Sequence, residues 1–541
     1  MKQWHTYGPV AAFCVVALCL APSLWCQNVT PRHVGVPQDW SERNIVFSLD
    51  GLAKYPNLID QEPRIRHQVM QRFQTLYPEF FRGVEGIDRS ANNPGHNRDW
   101  NVSFVRGRVA AGMYPAKYSF DPGAPPDCTN DYVVFGLNVA GTTGKQANLI
   151  AFNNLYSGPG GLCGAAPTVL FAYNVTSVSG GKVDLSPVIS LDGTEIAFVE
   201  SAGAQAIFHV LTWTAGQGTI SAAAAPTMTS LVFSPTATST TAAPWVDYTN
   251  DVAYVGADGG LMYKIIGVFN SPPTLAGGAW PVTVSSGHHL TPPVLDNQLG
   301  ELMVGSANGN LYEIDSGTGA LSVPLVVGAL GKTSPGVLAP PIVDVTNGTT
   351  FVVDANDGTS AVLLEVDTAT FTPIAKARIG IGAASKTALS IPQPAFTNDY
   401  YNDPSSGQIR LCGTGAADTT PWQYAFGFTG RTLNTTAVFS QQIVTSTAAE
   451  CTNWTEFYNP NIGGGTDFFF FGLTQDCTGV GTSGCVEAAT TEGSPLTNAA
   501  VAGGPSGIVV DNYSTAGQAS SIYLSSETGS TAYKFTQNGL Q

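Results

Sequence analysis

Charge is scarce in this sequence. Only 11% of the 541 residues are Asp, Glu, Lys or Arg, and 23 basic residues face 39 acidic ones. A nucleic-acid surface needs clustered Lys and Arg to neutralise phosphates, and a net charge of −16 without such a cluster excludes that class of partner. The same acidity disfavours docking on anionic lipid by charge. Beyond residue 25 no apolar run is long enough to span a bilayer as a helix; the densest, Phe468-Phe469-Phe470-Phe471, has strand length. No C-x-x-C pair and no Cys/His set at zinc spacing is present, which leaves the cysteines to disulfides. There is no G-x-S-x-G elbow, since Gly305-Ser306-Ala307-Asn308-Gly309 puts its serine on a predicted turn.

Glycine and proline are plentiful, at 60 and 35, and Thr, Ser, Ala and Val recur throughout. With 43% hydrophobic residues the chain can bury a sizeable core. Low charge, frequent turn formers and β-branched residues suit many short strands better than helices.

The first 26 residues read as a signal peptide. Lys2 supplies a positive start, and an apolar stretch over 9–25 includes Val15, Val16, Leu18 and Leu20. Cleavage is expected between Ala21 and Gln27, and bulky Trp25 argues against a lipid anchor at Cys26. The mature protein is therefore expected to be secreted or otherwise extracytoplasmic. Six cysteines remain in it, and six allow fifteen pairings. Sequence proximity favours Cys128 with Cys163, Cys412 with Cys451 and Cys477 with Cys485.

Internal repetition is the strongest signal. Thr291-Pro292-Pro293-Val294-Leu295-Asp296 is followed by Glu301-Leu302-Met303-Val304-Gly305-Ser306, then by Gly309-Asn310-Leu311-Tyr312-Glu313-Ile314-Asp315. Turn residues separate the three runs, which describes an antiparallel meander. The opening phrase recurs at Ala339-Pro340-Pro341-Ile342-Val343-Asp344, at Ala243-Pro244-Trp245-Val246-Asp247 and at Ser186-Pro187-Val188-Ile189-Ser190-Leu191-Asp192. Looser copies end at Asp121, Asn398, Asn459 and Asp511. The eight phrases are spaced by 48 to 71 residues. One sheet of this kind cannot bury both faces, but sheets stacked around an axis can. The expected fold is all-β, a propeller of eight four-stranded blades with seven as the neighbouring count.

The segment from Thr291 to Gly319 resembles the repeat of pyrroloquinoline-quinone-type, quinoprotein-like propellers. Ser190-Leu191-Asp192-Gly193-Thr194-Glu195-Ile196-Ala197-Phe198 is similar instead to the repeat of the Tol-system propeller. The first resemblance implies a quinone cofactor over calcium. However, the adjacent cysteines of its alcohol-oxidising members and the closing Trp of its repeat are missing here: Ser322-Val323-Pro324 follows Leu321. Such repeats specify a fold far more strongly than a function.

We expect a signal peptide over 1–26, an N-terminal extension over 27–97 and the propeller over 98–541. In the extension Ile65, Val69, Phe73 and Leu76 recur at helical spacing after Pro63, which predicts a short helix. The last repeat offers three strands only, so the strand pattern at 101–108 is expected to complete it and close the ring.

No catalytic residue stands out. His209 lies in a strand pattern and His288-His289 just before a blade, and ordinary packed or solvated roles are the default for both. The recurrent Asp121, Asp192, Asp247, Asp296, Asp344 and Asp511 would gather at one end of the axis, where a carboxylate ring could hold a cation such as calcium. The competing expectation is that each caps its own turn. Asp354-Ala355-Asn356-Asp357-Gly358 is a weaker calcium candidate of the same kind. The function expected is a monomeric, non-catalytic binding or scaffold propeller for a protein or glycan. A quinone- or carbohydrate-active enzyme and an envelope assembly scaffold are the alternatives.

Overall fold

The computed structural model describes residues 44–47 and 96–537, the latter with short interruptions in the connections between strands. The signal segment and the helix expected around residues 65–76 lie outside the described residues, as does Asp121. No helix among the described residues is long and apolar enough to cross a membrane.

The chain forms eight sheets, antiparallel but for one added parallel strand in the first, arranged as the blades of an eight-bladed β-propeller. The repeat sets this out most plainly in the fourth blade, whose strands are Val294–Asp296, Glu301–Ser306, Asn310–Asp315 and Leu325–Val326. The first three lie within the runs read from the sequence, the first without Thr291-Pro292-Pro293 and the third without Gly309. The first strand of each blade is innermost: those of successive blades approach one another, as Val294–Asp296 does Ile342–Asp344. Between blades lie continuous apolar clusters, one of them built from Phe351, Phe396, Tyr400, Leu411 and Phe428.

Closure uses the N-terminal side of the chain. The eighth blade comprises Val509–Asp511, Ser521–Ser525 and Thr531–Gln537, and its outermost strand is His96–Ser103, antiparallel to Thr531–Gln537. The strand runs over 96–103 rather than 101–108 because the chain turns at Val105, whose φ is 66°. Its early part is polar and carries a bulge between Arg98 and Trp100, which hides the alternation a strand normally shows. Trp100 is buried and donates to the Leu155 carbonyl of blade 1 at 3.0 Å, so the closing strand is tied to both neighbours.

Glycines in the second strands let the blades meet near the axis. A β-carbon at Gly305 would lie 2.3 Å from Val337, in the lead-in to blade 5, and 3.0 Å from Thr291, in the lead-in to its own blade. Gly136, Gly256 and Gly472 occupy the same position against Met113 and Val183, Ala242 and Leu290, and Thr452 and Pro505. Three disulfides join Cys128 to Cys163, Cys412 to Cys451 and Cys477 to Cys485. These are the pairings favoured by sequence proximity.

Candidate functional site at the axial mouth

The recurrent Asp residues cap turns at the end where the innermost strands finish. Asp296 accepts from the Gln298 and Leu299 amides at 2.9 and 3.1 Å. Asp247 and Asp344 each accept from the amide and side chain of an Asn three residues on, Asn250 and Asn347. Asp192 accepts from Ser190 and Thr194, and these bonds outweigh its partial burial and lower its pKa. Asp344 also accepts from Tyr400 of the next blade at 2.7 Å, so this cap doubles as a latch between blades.

Burial and the Asp344 charge raise the pKa of Asp296, so adjacent caps do sense one another. Among the described residues, though, no three of these carboxylates come within reach of a common ion. The one group of three that does is Cys477, Cys485 and Glu487, whose two sulfurs form a disulfide. Of the outer candidates, Asp511 ends its blade's innermost strand. Asp354, Asn356 and Asp357 form successive side-chain-to-amide turns, and Lys376 pairs with Asp357 at 3.1 Å, supplying the cation that calcium would.

A cavity lies at the opposite end of the axis. It holds 440 Å³ and is bounded by the lead-ins to the innermost strands and by the turns after the second strands. These meet because antiparallel neighbours start and finish at the same end. Its wall is mixed: Met113, Leu185, Leu290, Val337, Leu338 and Ile391 stand beside polar members that include Asn138, Ser186, His289 and Thr452. Into it open three acids, Asp184, Glu450 and Glu527. Each stands in a connection between strands or blades, so strand periodicity passes over it. Asp184 and Glu450 precede the innermost strands of blades 2 and 7 and Glu527 follows the second strand of blade 8, so no single repeat position marks all three.

Burial pushes the Glu527 carboxyl up to about 7; the Gly112 amide donates to it at 3.1 Å and moderates the rise, while the Glu450 charge adds to it. Burial likewise raises Asp184, against bonds from Ser201 at 2.7 Å and Lys182 at 3.5 Å. At the rim His289 meets Asp258 through Nδ1 at 2.9 Å, with its ring half exposed. His209 is elsewhere, wholly buried in blade 2 between Ser230 at 2.8 Å and Glu200 at 2.9 Å. Glu200 is further held by Ser177 and Val178, and these bonds with His209 offset its burial and lower its pKa.

A quinone cofactor does not suit this mouth. The wall offers no Trp, Tyr or Phe to cover a planar ring system, and three acids would face the carboxylates of a pyrroloquinoline quinone.

No protein-family model and no curated protein sequence matches the chain. Among solved structures, the protein is similar to the Dos1 propeller, with a TM-score of 0.50 and 9% identity over 82% of this chain and 95% of that one. It is also similar to BamB from Moraxella catarrhalis, with a TM-score of 0.45 and 14% identity over 82% of this chain and 99% of that one. Identity this low speaks to the fold alone.

Proposed function

We propose that the protein is a non-catalytic, extracytoplasmic binding module that takes a protein ligand at the axial mouth through an inserted Lys or Arg side chain. The observation that carries this is the composition of the cavity: apolar side chains such as Met113, Leu290 and Ile391 beside three acids, Asp184, Glu450 and Glu527, with no Lys or Arg in the wall. A long basic side chain matches both parts, since its aliphatic stem packs on apolar surface while its head meets carboxylates. Sugars are usually held by stacking on aromatic faces, and the wall has none, which favours a protein over a glycan. The three disulfides are compatible with an oxidising, extracytoplasmic setting.

The test is calorimetry with a short peptide carrying Arg between two Leu residues, its citrulline counterpart and a neutral oligosaccharide. The Arg peptide should bind, the citrulline form should lose about tenfold, and the double variant Glu450→Gln with Glu527→Gln should lose as much. Equal binding of Arg and citrulline peptides, or preferential binding of the oligosaccharide, would overturn the proposal.

A further inference from the structure

The innermost strand of a blade is a sheet edge. It pairs with the second strand of its blade on one side and ends the sheet on the side toward the axis. In blade 1 that edge is covered. The segment Asn44–Phe47 lies parallel to Ala116–Ser119, pairing Asn44 with Ala116, Ile45 with Lys117, Val46 with Tyr118 and Phe47 with Ser119. In the sheet order it stands on the far side of the innermost strand from the rest of the blade, and it approaches Val188–Ile189, the innermost strand of blade 2. It therefore runs inside the channel, and among the described residues no other blade carries a strand in this place.

We propose that the axial channel is an acceptor for extended peptides by strand addition, and that Asn44–Phe47 is its resident occupant. Main-chain bonds supply the attraction, so a partner segment of similar chemistry, uncharged and rich in β-branched and aromatic residues like Asn-Ile-Val-Phe, exchanges with the resident one. The pairing fixes its direction. Asn44 sits beside Ala116, just beyond the mouth residues Ala110 to Met113, so a bound strand has its N-terminal end at the mouth and its C-terminal end at the Asp-capped turns. This site is formed by backbone and is separate from the mouth carboxylates.

The experiment uses the full chain with Val46→Pro, since proline removes an amide donor and disfavours pairing at that position. The probe is an N-acetylated, dye-labelled peptide with the sequence of residues 44–49, Asn-Ile-Val-Phe-Ser-Leu, which carries no charged residue. The variant should bind it about tenfold more tightly than the unaltered protein, by fluorescence anisotropy. Hydrogen exchange at 116–119 should be faster in the variant and slow again when the peptide is added. Equal affinities, or protection at 116–119 that the peptide leaves unchanged, would overturn the proposal. The unaltered protein gives an independent reading if the variant fails to fold. Its amides at 116–119 should exchange more slowly than those at 245–247 and 294–296, whose axial edges carry no such strand, and equal rates would again overturn it. Glu450→Gln with Glu527→Gln should leave the affinity of this uncharged hexapeptide unchanged, which separates this site from the mouth.

Discussion

Asp99 and Lys534 are separated by 435 positions in the chain, yet their side chains meet at 2.5 Å in a buried ion pair. Thr536 donates to the same Asp99 oxygen at 2.6 Å. Both bonds join the outermost strand of blade 8 to the strand beside it, so this carboxylate fastens the ring where the two ends of the propeller chain meet. Removing one partner of a buried pair strands the other charge. Asp99→Ala should therefore cost about 3–5 kcal/mol in urea unfolding. A loss below about 1 kcal/mol, the scale of an exposed pair, would show that the ring is held closed by backbone pairing alone.

Reduction of the disulfides should not act evenly. The cross-link between Cys412 and Cys451 closes a separation of 39 residues and joins blade 6 to the lead-in of blade 7, whereas Cys477 and Cys485 close only 8. On chain entropy the first contributes about 4 kcal/mol and the second about 2.5 kcal/mol. Paired Cys→Ala variants, each measured by thermal unfolding, should fall in that order. Peptide mapping of the protein without reductant should find Cys128, Cys163, Cys412, Cys451, Cys477 and Cys485 all bonded.

Glycine at 305 answers to its neighbours rather than to its own strand. Gly305→Ala places a methyl group 2.3 Å from Val337. Overpacking of this kind costs about 1–3 kcal/mol. Val337 lines the cavity, so adding Val337→Ala should recover part of the loss. If Gly305→Ala melts with the parent, the close approach there relaxes freely.

Acidity should stabilise this protein across an unusual range. Burial pushes Glu365, Glu487 and Glu527 up to about 7 from an ordinary 4.5, and Glu313 likewise, with the Glu301 charge adding to it. Below 4.5 these groups are protonated whether or not the chain is folded. Between there and about 7 the unfolded chain gives up protons that the folded protein keeps, so stability falls as pH rises through the window. At the low end Asp357, held to about 2 by bonds from Thr359, Ser360 and Lys376 that outweigh its burial, contributes above 3.8 and is lost below it. The melting temperature should thus be higher at about pH 5 than at about pH 8, and Glu487→Gln should flatten that slope. A melting temperature that climbs from about pH 5 to pH 8 would contradict the assignment of these carboxyls.

Much of the architecture was legible in the sequence because it is local and repeated. A phrase such as Val294-Leu295-Asp296 carries its own instructions: apolar residues to bury, then a carboxylate that caps the turn through Gln298 and Leu299. Eight copies announce eight blades, since each sheet needs the next to cover its apolar faces. Disulfides between sequence neighbours follow from the same locality.

What lies about the axis was decided by tertiary structure. The sequence marks the Asp-capped end of the channel through repetition, but the cavity forms at the other end. There the unrepeated acids Asp184, Glu450 and Glu527 are brought together from three blades. The closing bond between Asp99 and Lys534 and the channel strand at Asn44–Phe47 are of the same kind. Periodicity reports what a residue does within its own sheet. Contacts made by curling eight sheets into a ring depend on where distant segments arrive, and no local pattern in the chain encodes that.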